Sequence, residues 1–289
     1  MIAVTGANGQ LGRLVLKHLA KLTDTPVRAL VRTPSKAEDL ASSRISVVKA
    51  DYDEPATLRT ALEGVDTLLL ISGSDIGSRV PQHTAVIEAA GQAGVGFIAY
   101  TSILNVSRSS LIFASEHAVT EQLLADSGIA HALLRNGWYL ENFAGTIAGA
   151  LAHGAVVGAS GDGRFSAAAR EDYAEAAARV LTGEDRTTRA LELGGRPSFT
   201  LAELAAELSS RTGRDIPFTN LPETAYADVL QQAGLPEGFA RVVADADRGA
   251  AQGELETNSS DLEEVIGHPT RSLSAFVTDT LKGLAATAA

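Results

Sequence analysis

The 289-residue chain contains no cysteine, which excludes disulfides, thiolate catalysis and cysteine-ligated zinc. Lysine is nearly as scarce, with none between Lys49 and Lys282, so the central region offers no catalytic lysine. Positive charge is in deficit overall. Twenty-four Lys and Arg against 35 Asp and Glu give a net charge of −11, which argues against a broad nucleic-acid or anionic-membrane surface. The six histidines, His18, His83, His117, His131, His153 and His268, show no metal-ligand spacing, so no metal is expected. Residues 142–161 carry no Asp, Glu, Lys or Arg, yet Gly154 breaks the run beside His153. They read as a buried helix followed by a strand, not as a membrane span. The first strand begins at Ile2 and leaves no room for a signal peptide, so a soluble, cytoplasmic protein is expected.

What is present is a core. Hydrophobic content of 45% with 20% charged residues suits one large domain, or a domain with a smaller lobe. The chain is organised around IAVTGANGQLG, residues 2–12, a short apolar strand running into Gly6, Gly9 and Gly12. An amphipathic helix follows, with Leu11, Leu14, Val15, Leu19 and Leu22 on one face. Strand, glycine turn and helix make the phosphate-binding start of a dinucleotide fold. Gly6 permits the sharp turn, Gly9 a close approach of backbone N–H groups to pyrophosphate, and Gly12 close helix packing. The spacing is G-x-x-G-x-x-G, the looser form of the fingerprint.

Beyond it, strands are expected at residues 27–31, 47–50, 66–71, 97–101 and 131–134, alternating with helices at 55–62, 81–90 and 115–125. This rhythm predicts an α/β fold, a Rossmann-type doubly wound parallel sheet. The second half is less regular. Short strands at 155–157 and 164–167 flank a Gly161-Asp162-Gly163 turn, and an alanine-rich helix at 171–181 precedes a strand at 190–193. Thr200 caps a helix over 201–211 with Glu203 at its third position. A strand at 216–219, helices opened by Pro222 and Pro236, and a helix over 271–284 complete the chain. The expected organisation is a nucleotide-binding domain over 1–135 and a smaller α+β lobe over 136–289 covering the carboxyl ends of the strands. Segments 172–195 and 270–289 are expected to return to the first domain.

At the end of the second strand stands Arg32, followed by Lys36, where an NAD-selective fold carries an acid. A guanidinium there suits a 2′-phosphate, so NADPH is the expected cofactor; a solvated charge is the plainer reading. Asp51 could reach the adenine amino group or simply cap its loop. No tyrosine is followed by Lys at the fourth position, so the Tyr/Lys proton donor of ordinary alcohol–ketone chemistry is missing. The helix at 115–125 carries His117 and Glu121 one turn apart instead, a proton relay or a surface pair. Quinones and cationic dyes accept hydride without a positioned acid and ask mainly for a dry stacking pocket. Trp138 and Tyr139 read as an aromatic wall or as interlobe core. Phe143 and Phe165 read as packing that could line the cleft. Arg170 could clamp a phosphate or pair locally.

The segments TGANGQLG, ADYDEPATL, LLLISGS, PQHTAVIEAA, FIAYTS, LLRNGWYLENF and GASGDG resemble the NmrA-like atypical short-chain dehydrogenases, across residues 1–283. Within these they are similar to the branch of NAD(P)H:quinone oxidoreductase type 2 and triphenylmethane-dye reductase. The resemblance implies an NADPH-dependent oxidoreductase passing hydride to a quinone or other small acceptor, as a monomer or homodimer. It places Gly6, Ala7, Asn8, Gly9, Gln10 and Leu11 on the pyrophosphate, Arg32 on the 2′-phosphate and Ser72, Gly73 and Ser74 beside the ribose. Asn136, Gly137, Trp138 and Tyr139 then lie near the nicotinamide. Tyr139 and His117 are the candidate catalytic side chains, and Trp138, Tyr139, Phe143 and Phe165 the candidate substrate contacts. NmrA-like proteins also include non-catalytic NADP-binding redox sensors.

Overall fold

The computed structural model describes residues 1–73 and 75–288. Its first half alternates strictly. β1 (Ile2–Val4), α1 (Gln10–Leu22) and β2 (Val27–Val31) are followed by two 3-10 turns, Pro34–Lys36 and Glu38–Leu40. Then come β3 (Ile45–Lys49), α2 (Pro55–Leu62), β4 (Thr67–Leu70), α3 (Arg79–Ala93), β5 (Phe97–Ile103), α4 (Ala114–Asp126) and β6 (Ala130–Asn136). The second half holds α5 (Ala144–His153), β7 (Val156–Gly158), β8 (Arg164–Phe165), α6 (Arg170–Thr182), β9 (Arg189–Leu193) and β10 (Phe199–Thr200). It ends with α7 (Leu201–Thr212), β11 (Phe218–Asn220), α8 (Glu223–Gln232), α9 (Glu237–Ala251), α10 (Asp261–Ile266) and α11 (Leu273–Ala288).

Seven strands form one parallel sheet in the order β3-β2-β1-β4-β5-β6-β9. The order reverses at β1/β4, the switch point outside which such sheets bind ligands. Side-chain alternation explains why the strands read as continuous apolar runs. Leu69 joins the core under α1 and α6, while Leu68 and Leu70 join the one under α2, α3 and α4. Both faces are therefore covered. The alanines of α6 (Ala174, Ala176, Ala177 and Ala178) are buried in the same cluster as Leu11, Val15 and Leu19 of α1. Small side chains let the two helices lie close together.

A separate core joins α5, α7 and α11 around Phe143, Phe165 and Phe199, whose rings meet at centroid distances of 5.2–6.2 Å. The strands flanking Gly161–Gly163 are not partners: β7 pairs in parallel with β11, and β8 pairs antiparallel with β10. A Cβ at Gly163 would lie 2.4 Å from the Ala250 backbone, so the turn sits hard against α9, and each strand finds its partner later in the chain. The C-terminal helix buries Phe276 and Val277 with α5 and α7, and α6 and β9 lie in the covering layer and the main sheet. α3 begins at Arg79, two residues before Pro81, because a first-turn N–H has no intrahelical acceptor for proline to forfeit. Among the described residues no helix is long and apolar enough to cross a membrane.

Candidate functional site

The glycine turn is built as its spacing requires. Gly6 has φ +56°, in the left-handed region where a side chain is strained. A Cβ on Gly12 would stand 2.5 Å from the Gly6 carbonyl oxygen and 2.7 Å from Ala7 Cα. The Gly9 N–H donates to Gly6 O at 2.9 Å, and the Ala7 N–H donates to Leu30 O at 3.2 Å, tying the turn to β2. Gly9 caps α1 without a side chain, and the first turn holds no acid. Among the described residues the N–H groups of Gln10, Leu11 and Gly12 have no protein acceptor. A concave, uncapped helix start of this kind is an anion site. Arg32 and Lys36 are exposed at the end of β2, with no side-chain partner among the described residues.

The loop after β4 is held from several sides. The Ser72 N–H donates to Thr101 Oγ1 at 2.8 Å, and the Gly73 N–H donates to His83 Nε2 at 3.0 Å. Arg79 Nε donates to Gly73 O at 2.5 Å. Because an N–H can only donate, His83 Nε2 is the acceptor and Nδ1 carries the hydrogen, which it gives to Thr120 Oγ1 at 2.9 Å. Burial first, then the Arg79 charge, pulls His83 down to about 4, so the ring is neutral. Ser74 lies outside the described residues.

Where β4, β5 and β6 end, a cavity of about 130 Å³ opens. Ser72, Thr101, Ser102, His117 and Asn136 give its polar wall; Ile103, Leu111, Phe113, Trp138, Tyr139 and Leu255 give its apolar one. His117 Nδ1 lies 2.7 Å from the buried Tyr100 hydroxyl, and no other polar partner is found for its ring among the described residues. Burial, Arg79 and His83 lower His117 to about 3. Asn136 Oδ1 is buried with no hydrogen-bond partner among the described residues, a buried acceptor that calls for an explanation. Gly137 is required by crowding, since a Cβ would meet Ser166 O at 2.6 Å and the Tyr173 hydroxyl at 2.9 Å. The following segment is clipped to the second half of the chain by Leu140 N–H to Ala168 O at 2.9 Å and by the Tyr173 hydroxyl to Trp138 O at 3.3 Å.

A family model described as NAD(P)H-binding matches residues 6–184. The chain belongs to this NAD(P)H-binding family. Over 278 residues it is 49% identical to quinone oxidoreductase 2 of Escherichia coli (strain K12), covering 96% of this chain and 97% of that one. The solved NADPH complex of an Escherichia coli NADPH-dependent quinone oxidoreductase superposes with a TM-score of 0.94 at 48% identity, covering 97% of this chain and all of the other. A Citrobacter triphenylmethane reductase complexed with NADP(H) superposes with a TM-score of 0.92 at 35% identity, covering 97% of this chain and 100% of that one.

The residues present fit a family cofactor. The uncapped N–H groups of α1, the collision-limited Gly12 and the unpartnered Asn136 Oδ1 are each explained by a bound dinucleotide. Of the candidates read from sequence, Ser72, His117, Asn136, Gly137, Trp138 and Tyr139 line one cavity. Phe143 and Phe165 do not; both are buried in the aromatic cluster of the second core. His117 and Glu121 are not a pair. Glu121 accepts from Ser102 Oγ at 2.6 Å and from Arg135 Nη2 at 2.7 Å, whereas His117 meets Tyr100. Asp51 Oδ1 accepts its own loop's Asp53 N–H at 3.2 Å, the cap of the plainer reading. Arg170 stacks over the Tyr139 ring at 4.9 Å. Burial raises the Tyr139 phenol, with Asn136 and Arg170 partly opposing, which keeps it protonated.

Thr101 and Ser102, Leu111 and Phe113, and the distant Leu255 were not singled out in the sequence. Only the serine and threonine gave a signal, as hydroxyls closing FIAYTS at the carboxyl end of a strand. The other three sit in loops whose path nothing local dictates.

Proposed function

We propose that the chain is an NADPH-dependent quinone reductase. The observation that carries the reading is the 49% identity to the Escherichia coli quinone oxidoreductase 2 over nearly the whole length of both chains; the chemistry of the cavity agrees with it. When bound, NADPH supplies a hydride from its nicotinamide ring. The chain's own residues do the rest. The N–H groups opening α1 hold the pyrophosphate, and Arg32 with Lys36 holds the 2′-phosphate. Ser72 and Gly73 lie along the ribose, their backbone hydrogen-bonded to Thr101, His83 and Arg79. Asn136 Oδ1 accepts from the carboxamide, and Gly137–Tyr139 back the ring.

A planar acceptor stacks against Trp138 in a cavity that excludes bulk water. With Tyr100 donating to Nδ1, neutral His117 presents an Nε2–H to the acceptor oxygen and stabilises charge developing there. It is too weak a base to hold a proton at neutral pH, and the Ser102 hydroxyl already donates to Glu121, so the hydroquinone proton comes from solvent. This explains how a site without the Tyr/Lys pair can still serve an easily reduced acceptor.

A triphenylmethane dye is the second acceptor class, favoured by the 35% identity to the Citrobacter enzyme. A sensor role rests on fold alone: the NmrA regulator bound to NAD is 14% identical with a TM-score of 0.75. The deciding measurement is steady-state NADPH oxidation with a quinone panel and one triphenylmethane dye, with NADPH binding followed by fluorescence. Quinone-dependent turnover is expected. Tight NADPH binding with no turnover on any acceptor refutes the reductase reading in favour of the sensor.

A further inference from the structure

Arg32 and Lys36 stand free, but a third cation in the same corner is engaged. Arg13, in the first turn of α1, donates from Nη2 to Asn8 Oδ1 at 2.6 Å and from Nε to Asn8 O at 3.3 Å. The same guanidinium meets Asp39 fork to fork, Nη1 to Oδ2 at 2.6 Å and Nη2 to Oδ1 at 3.1 Å. Asp39 belongs to the short turn Glu38–Leu40, directly after the one that carries Lys36. Buried Ala37, between those turns, packs with Ala7, Leu11 and Val15. Arg13 therefore spans the two walls between which the fold lays the adenosine ribose: the glycine turn on one side and the loop after β2 on the other.

The bidentate, planar contact that Asp39 makes is the contact a phosphate makes with a guanidinium. A ribose 2′-phosphate carries more charge than a carboxylate and arrives beside Arg32 and Lys36. Without that phosphate, a dinucleotide leaves the Arg13–Asp39 pair untouched. We propose that Arg13 is a third, specificity-determining ligand of the 2′-phosphate, with Asp39 as a built-in competitor that moderates the preference for NADPH over NADH. The inference rests on the NADPH reading of the site. It assigns Asp39 an effect on one cofactor only, because only the phosphorylated one contends for the guanidinium.

The test is direct binding. NADPH and NADH are titrated by fluorescence, and adenosine 2′-monophosphate and 5′-monophosphate by calorimetry, against the wild type, Arg13→Ala, Arg13→Lys, Asp39→Asn and the double variant. Arg13→Ala is expected to weaken NADPH and adenosine 2′-monophosphate by about tenfold, and NADH by less than about twofold. Arg13→Lys falls in between, because lysine keeps the charge and loses the fork. Asp39→Asn tightens NADPH by about threefold without moving NADH, and the gain largely disappears when Arg13 is already alanine.

Equal weakening of both cofactors by Arg13→Ala would mean that the residue only props the turn through Asn8, and would overturn the proposal. An unchanged NADPH to NADH ratio in Asp39→Asn would overturn it as well. Two failures are separable. If the wild type does not bind NADPH, the cofactor reading falls and this inference with it. If Arg32→Glu abolishes NADPH preference while Arg13→Ala leaves it intact, only the role of Arg13 is refuted.

Discussion

On the proposed reading, Arg32 serves cofactor choice and His117 acceptor activation. Arg32 is exposed at the end of β2 without a side-chain partner among the described residues. Reversing its charge in Arg32→Glu should shift the NADPH to NADH preference by about tenfold or more, since a charge-assisted contact is worth roughly 1.5–3 kcal/mol; fluorescence titration of both cofactors measures it. On the proposed role of His117 as a neutral donor into the cavity, His117→Ala should lower kcat by about tenfold, the worth of one well-placed donor, and leave the dissociation constant of NADPH nearly unchanged. Equal losses in both would make the ring a packing element. Residue identity was a good guide wherever the backbone decides, as at Gly6 and Gly12. It was a poor one for Phe165, because an aromatic side chain reads the same in sequence whether it faces a ligand or three other rings.

Elements were legible in proportion to their length. β2 and α2 fall on the residues that periodicity and Pro55 mark out, and α7 has both arms of the Thr200–Glu203 capping box. The ladders β7–β11 and β8–β10 were not foreseen, because strands of two or three residues have no period to read and their partners lie far along the chain. A tight junction lies between α1 and its own turn. Gly12→Ala should destabilise the protein by about 1–3 kcal/mol, the cost of overpacking, and should weaken NADPH by opening the phosphate cradle. Thermal denaturation with and without NADPH measures both effects, and an unchanged melting temperature would show that the turn gives way freely.

At the scale of the whole molecule, three buried groups contribute to the response to acid in opposing directions. His83 and His117 are held at about 4 and about 3, below the 6.5 of an unfolded histidine. Between pH 6.5 and 4 the unfolded chain therefore binds more protons at these two sites, and stability falls as pH falls. Asp247, raised to about 7 by burial against the pull of its bond from Ala159 N–H, acts oppositely: the folded state takes up its proton first. Its penalty is complete above pH 7 and disappears as pH falls towards the unfolded value. The three together lose about one proton's worth, roughly 1.4 kcal/mol per pH unit, over that window. Asp247→Asn should be more stable than wild type at pH 8 and lose stability more steeply on acidification. Urea denaturation across pH 4–8 tests this, and parallel curves for the two proteins would refute it.

Local sequence was enough for the dinucleotide turn, the alternating parallel sheet and the cation at the end of β2, because each depends on constraints that act within a few residues: glycine torsions, side-chain period and fixed charge. The absence of a Tyr/Lys pair was equally plain. Which hydroxyls and rings share a cavity was decided by the sheet order, which brings the ends of β4, β5 and β6 together and sets Leu255 opposite them. The pairing of Glu121 with Ser102 and Arg135, the neutral state of His117 and the hold of Asp39 on Arg13 are contacts across 14 to 26 residues of chain or states imposed by burial. No local pattern encodes them, since desolvation and long-range hydrogen bonds exist only once the elements have packed.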